Sequence, residues 1–228
     1  MKKLLITTAL LASGATQAAT VAGVHFGADL WALDASGSVV TDSNSALKNF
    51  DFDSEKQGRV WLAVEHPVPF IPNVMLRENF LKIDGKDGTG NINFKTDLSH
   101  LDFVLYYELL DNDLVSLDAG AAYRKMHGSV SIDTKSTDID SGITMAYASA
   151  TASLPGFDLY GFADVMAGIN EKDVYDYSVG IGYNFDGLAM DYRVRAGYRE
   201  FNFEVENFSS INANTKVDGY FLGLEIDF

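Results

Sequence analysis

The chain of 228 residues contains no cysteine, so disulfides and thiolate metal sites are excluded. Beyond its first eighteen residues it has no run of about 18 apolar side chains, which excludes a membrane-spanning helix. Basic residues are scarce: 17 Lys and Arg stand against 32 Asp and Glu. A nucleic-acid partner is excluded at that balance, since phosphate binding needs the opposite sign. Proline is rare too, and three of the four prolines fall in one heptapeptide, His66–Pro72 (HPVPFIP). Proline breaks a strand ladder, so this heptapeptide is a connection and long stretches elsewhere are left free to pair.

What is present begins with Lys2 and Lys3, an apolar run from Leu4 to Ala12, and small residues Thr16 and Ala18 before Ala19. This is the pattern of a Sec-type export signal at 1–18, with an apolar core too short to cross a bilayer. Without Lys2 and Lys3 the balance is 15 basic against 32 acidic residues, or −17. An exported domain often uses disulfides to hold a thin core. A closed strand ladder is the alternative.

Apolar and polar residues alternate in recurring segments, which gives strands with one greasy and one wet face. Ten segments are expected, at about 21–33, 57–65, 73–83, 97–109, 115–126, 143–154, 158–169, 174–185, 188–201 and 219–228. The eighth is the clearest: Tyr175, Tyr177, Val179, Ile181, Tyr183 and Phe185 oppose Asp176, Ser178, Gly180, Gly182 and Asn184. In the third, Glu78 shares a face with Val74, Leu76 and Phe80, so a bulge near Arg77–Glu78 is expected. The sixth is small or apolar on both faces, and its facing cannot be assigned. Residues 34–56, 84–91, 128–141 and 202–215 read as polar connections, and Asp186–Gly187 as a two-residue hairpin turn.

Connections after segments 2, 4, 6 and 8 are short or proline-rich. Those after 1, 3, 5 and 9 are longer and hydrophilic, and the one after 7 is a four-residue exception. This alternation is that of barrels with short periplasmic turns and longer external loops. The expected fold is therefore all-β: a transmembrane, up-and-down antiparallel barrel over 19–228, with ten strands and eight as the alternative. The apolar face fits a bilayer. From Tyr177 to Phe185, at ~3.3 Å per residue and a tilt of ~40°, aromatics bracket ~20 Å of height, close to the ~25 Å apolar band of such barrels.

The export signal, the alternating strands and the C-terminal pattern Tyr220-x-Leu222-x-Leu224-x-Ile226-x-Phe228 resemble bacterial outer-membrane proteins. Over its mature length the chain also resembles a family of small, uncharacterised Gram-negative barrels described by a Gly-Gly feature. The resemblance implies a cell outer-membrane location. It also implies that Tyr220, Leu222, Leu224, Ile226 and Phe228 are what the barrel-assembly machinery recognises.

The inner face is where function is expected. Its charged residues are Arg59, Asp102, Arg124, Asp176, Arg193, Arg195, Arg199 and Glu225. A two-residue turn at Asp186–Gly187 sets Arg193 opposite Gly180 and Arg195 opposite Ser178, with Glu225 as a partner for Arg193. The turn at Asp111–Asp113 sets His100 opposite Arg124, with Asp102 one diagonal away. This cluster reads as a charged, narrow passage or as a salt-bridge plug, and the plug is favoured because a ten-stranded barrel is little wider than those that side chains fill.

A non-enzymatic envelope role or a narrow small-solute pore follows. An enzyme acting at the rim on lipid or peptide is the alternative, and adhesion through the external loops a weaker one. Ser99 and His100 are neighbours on a strand and point apart, which spoils them as a nucleophile and base. A two-acid site would need Asp29, Asp102 and Asp176 to converge. No catalytic residue, metal or cofactor is assigned: the loop acids lack calcium-loop spacing, and His25, His66, His100 and His127 are dispersed. The expected partners are outer-membrane lipid, lipopolysaccharide and the assembly machinery, with the chain itself a monomer.

Overall fold

The computed structural model describes residues 22–41, 50–52, 55–68, 70–87, 93–132, 134–187 and 190–228. The expected export signal lies outside the described residues. Fifteen strands follow in chain order: β1 (Gly23–Thr41), β2 (Phe50–Phe52), β3 (Glu55–Glu65), β4 (Asn73–Phe80), β5 (Lys82–Asp87), β6 (Asn93–Asp97), β7 (His100–Asp111) and β8 (Val115–Met126). Then come β9 (Gly128–Ile132), β10 (Lys135–Ile139), β11 (Gly142–Ser153), β12 (Leu159–Gly168), β13 (Val174–Phe185), β14 (Asp191–Phe208) and β15 (Ile211–Asp227).

Ten of these close a barrel in the order β1-β15-β14-β13-β12-β11-β8-β7-β4-β3 and back to β1. All pairs are antiparallel, so the expected ten-stranded barrel is the fold. The last strand has no free edge: Leu224 lies opposite Ala28 on β1 and Val194 on β14. Closure satisfies the backbone groups that an open sheet would present to lipid. The other five strands form a second sheet, β10-β9-β6-β5-β2, beyond the end of the barrel opposite to Gly23 and Asp227. We call this the cap end, and the opposite end the turn end.

Side-chain polarity inverts between barrel and cap. On β14, Tyr192, Val194 and Ala196 face outward while Arg193, Arg195 and Arg199 face the lumen. The same inward parity then continues as Phe201, Phe203 and Val205, all buried, with Asn202, Glu204 and Glu206 turned out. β15 repeats the change in reverse: Ile211, Ala213 and Val217 point in near the cap, whereas Leu222 and Leu224 point out below it. The barrel's outer wall carries exposed Leu30, Leu105, Val179, Ile181 and Leu222, an apolar surface that a bilayer stabilises and water does not. Above it, Leu81, Ile83, Phe94, Val130 and Ile132 pack with Phe201, Phe203 and Val205 into an ordinary apolar core.

Several expectations about connections are corrected. The polar stretches 128–141 and 202–215 are strand hairpins, because their inward positions are apolar and pack into the cap. β14 and β15 meet at Ser209 and Ser210, whose φ angles of 52° and 62° are the left-handed pair a two-residue hairpin turn requires. β5 carries the expected 84–91 loop as strand to Asp87. No bulge occurs at Arg77–Glu78, where pairing with β3 and β7 runs unbroken. Glu78 instead sits on the outer wall near the cap, bonded to His127 at 2.9 Å. On β11, Ile143, Met145 and Tyr147 point inward and Thr144, Ala146 and Ala148 outward, which settles the sixth segment.

Val179→Arg, at mid-height on the outer wall, should cost ~2–4 kcal/mol of stability in phospholipid vesicles, read by urea unfolding. Glu204→Arg, outward beside the cap, should stay within ~0.5 kcal/mol of the unmodified chain. Equal losses at the two positions would contradict this placement of the apolar belt.

Candidate functional site

Because inward residues alternate along every strand, the lumen is built as stacked layers. Directly beneath the apolar cap lies a ring of five polar residues from five strands. Arg124 on β8 donates through Nε to Asp102 Oδ1 (2.7 Å) and through Nη2 to Asp102 Oδ2 (2.9 Å) and Asp176 Oδ2 (3.0 Å). Arg199 on β14 donates to Asp176 Oδ1 (2.9 Å) and Oδ2 (2.7 Å), and also to Asn79 Oδ1 (2.7 Å). Asn79 Nδ2 returns to Asp102 Oδ2 at 3.3 Å and closes the ring. The Arg124–Asp176 bond spans the lumen, since β11 and β12 lie between their strands in the wall. Two arginines and two aspartates make the ring neutral, and Asp102 and Arg124 are wholly buried.

A second set lies closer to the turn end. Asp29 on β1 accepts from Arg59 Nε (3.0 Å) and from Arg195 Nε (3.1 Å) and Nη2 (2.9 Å). Arg77 on β4 crosses the lumen to grip both oxygens of Asp164 on β12, at 2.9 and 3.0 Å. Arg193 meets Glu225 at 3.0 Å and also pairs with Asp227. Aromatic faces support the guanidinium groups: Arg195 lies 4.0 Å over Trp61, Arg199 4.6 Å over Trp31 and Arg124 5.2 Å over Phe201. Two inward glycines make the room. A Cβ at Gly27 would fall within the Trp61 indole, and one at Gly223 against Asp29 Oδ1.

All eight charged residues expected in the lumen face it, four in the ring and four in the second set. Their registers differ from expectation. Arg193 lies opposite Asn184 and Arg195 opposite Gly182, because the turn after β13 is wider than two residues and the Gly187 amide bonds Asp191 Oδ1 at 2.9 Å. Asp102 lies directly opposite Arg124 and His100 opposite Met126. There the Asn112 side chain closes a tight turn by accepting the Leu114 and Val115 amides, and a bulge falls between Glu108 and Leu110. Asn79, Arg77 and Asp164 were missed as members. For Asn79 and Arg77 the signal was the inward parity that an expected bulge obscured on β4; for Asp164 on β12 it was the inward parity shared with Tyr160 and Phe162.

His100 and Asp102 come together beneath the cap, His100 Nε2 standing 3.9 Å from Asp102 Oδ2. His100 Nδ1 donates to the Leu98 carbonyl at 2.8 Å, while Ser99 Oγ accepts the Leu81 amide at 3.1 Å. Ser99 and His100 are thus committed to backbone groups and not to each other. Asp102 and Asp176 meet on Arg124 Nη2, while Asp29 lies apart, held by Arg59 and Arg195, so the three do not form one site. His25, Glu225 and Asp227 bring ligand atoms within 4.8 Å of one another. His25 is already bonded to Asp227 and Glu65, and Arg193 to Glu225 and Asp227, so a cation there would displace existing pairs.

Below the ion pairs the lumen opens into a vestibule of about 360 Å³ at the turn end. Its walls differ in charge. β3 and β14 supply Arg59, Arg193 and Arg195, and β7 and β8 supply Glu108, Asp111 and Asp118. The terminal-strand residues Tyr220, Leu222, Leu224 and Phe228 lie exposed on the outer wall, away from the lumen; Ile226 shares their face.

Arg124→Leu should cost about 3–5 kcal/mol in the same urea assay, since it leaves the wholly buried Asp102 without its arginine and Asp176 with Arg199 alone. Arg193→Leu, at the half-exposed mouth, should cost less than about 1 kcal/mol. Similar losses would contradict the central place of the Arg124 ring.

No family model matches the chain, and no curated protein sequence does. Among solved structures, the chain is similar to the outer-membrane protease OmpT of Escherichia coli, at 12% identity, 95% of this chain, 99% of that one and a TM-score of 0.48. It is also similar to a FadL homologue of Pseudomonas aeruginosa (10%, 92% and 90% covered, TM-score 0.39) and to OprG of the same organism (12%, 91% and 95%, TM-score 0.32). Likeness at this level carries no statement about activity, which rests on this chain's own lumen.

Proposed function

We propose that this chain is a Gram-negative outer-membrane barrel that serves as a sealed structural element of the envelope rather than as a diffusion pore. The observation that carries this reading is the closed ring of Asn79, Asp102, Arg124, Asp176 and Arg199 lying under an apolar core. A solute crossing the lumen must break buried ion pairs and then pass packed Phe201 and Phe203. Each step costs several kcal/mol with no compensating contact.

The membrane placement is supported by the closed ladder, by the apolar outer wall and by the inversion of polarity at its cap-side limit. The turn end, which holds the short connections and both described termini, faces the periplasm in this reading, and the cap faces outward. Tyr220, Leu222, Leu224, Ile226 and Phe228 serve as the assembly signal. The narrower Gly-Gly family is not needed for the reading, and the sequence contains no Gly-Gly pair.

Folded protein, recognised by faster gel migration before boiling than after, should give no conductance steps in planar bilayers in concentrated KCl. Regular steps from the folded, unmodified protein would overturn the sealed lumen.

A further inference from the structure

We propose that the turn-end vestibule binds a small aliphatic amine, with its ammonium group at the Glu108–Asp118 pair and its carbons against Tyr106 and Tyr147. The inference rests on the same barrel as the sealed-lumen reading but not on the seal itself.

Four observations converge. Glu108 on β7 and Asp118 on β8 lie directly opposite each other in register, both facing the vestibule. Like charges so placed destabilise a sheet, and a cation between them removes the repulsion. Asp118 Oδ1 is buried without a hydrogen-bond partner. Among the described residues no basic side chain forms an ion pair with Glu108, Asp111 or Asp118, whereas the arginines lining the vestibule are held by Asp29, Asp164, Glu225 and Asp227. The deficit is therefore local to one wall and is not met by the lumen's own cations.

The shape and lining decide which cation. A volume of about 360 Å³ suits a small organic molecule and far exceeds a bare ion. Tyr106 and Tyr147 stand edge to face at 5.9 Å beside the acids, both nearly wholly buried. Aromatic walls stabilise ammonium groups and alkyl carbons. Aromatic rings contribute nothing to the shell of six or more oxygens that calcium or magnesium takes. Asn73 Nδ2 holds Glu108 Oε1 at 2.9 Å and Tyr106 OH holds Glu65 Oε1 at 2.8 Å, so the acidic wall is fixed before any ligand arrives. At the mouth Asp113, Asp186 and Asp191 extend the negative field outward and draw cations in.

The test is calorimetric titration of the folded, detergent-solubilised barrel with 1,4-diaminobutane at low salt. Saturable binding of one diamine is expected, weakened by about tenfold or more in Glu108→Gln/Asp118→Asn. Ser149→Phe, which fills the vestibule floor, should abolish it, and Glu204→Gln near the cap should leave it unchanged; gel mobility before and after boiling confirms that each variant is folded. No saturable heat, equal affinity in the double variant, or displacement of the diamine by equimolar magnesium would each overturn the proposal. A diamine-binding barrel that conducts ions would overturn the seal alone, and a silent barrel that binds no diamine would overturn the vestibule alone.

Discussion

Arg124 is wholly buried, and its guanidinium lies between Asp102 and Asp176. A buried charge of this kind is tolerated only when opposite charges and hydrogen bonds meet it from more than one side. That requirement ties distant parts of the wall together. Asp102 must stand directly across β7–β8, Asp176 must reach over from β13, and Arg199 must hold Asp176 from β14 while Asn79 links back to Asp102. One neutral ring ties together three strand pairings, β4–β7, β7–β8 and β13–β14, and bridges the lumen twice, through Arg124–Asp176 and Arg199–Asn79. The glycines and tryptophans follow from it and its neighbours, since guanidinium groups in a narrow lumen need space to enter and flat faces to lie on.

The second constraint is the solvent outside. Side-chain parity along β14 and β15 never changes, yet the chemistry of each face does. Within the bilayer the outer face is apolar and the lumen holds charge. Beyond it the outer face is charged and the interior is Phe201, Phe203 and Val205. The same two strands thus belong to a membrane barrel at one end and to a water-soluble core at the other. The ion-pair ring sits where these regimes meet, covered by the cap's apolar core. A lumen built this way has a closed end and an open end, and the open end is where accessible charge remains.

Strand number, the facing of every strand but the third and sixth, and the closing partners of the last strand were legible in the sequence because alternation records which side each residue faces. Register was not, since it depends on turn geometry carried by side chains such as Asn112 and Asp191, which make a turn tighter or wider than its residue count suggests. The inward charges could therefore be named while their partners could not: Arg195 meets Asp29 from the other end of the chain, a contact that closure alone creates. The cap was misread as loop because its polar residues face water on the outside and its apolar ones, at the opposite parity to those in the barrel, break the expected pattern. Arg77 was obscured for a related reason. Glu78 lies at the boundary of the belt, where an outward acid bonded to His127 is stable, and it needed no bulge.

The account rests on a lumen open at the turn end and sealed at the cap, and the absence of cysteine makes that directly measurable. Single Ser149→Cys, in the vestibule, and Ser131→Cys, on the outer face of the cap hairpin, can be exposed to a membrane-impermeant thiol reagent on intact cells. The account predicts rapid labelling at position 131 and none at 149 until the outer membrane is permeabilised. Equal labelling of both positions on intact cells would contradict it.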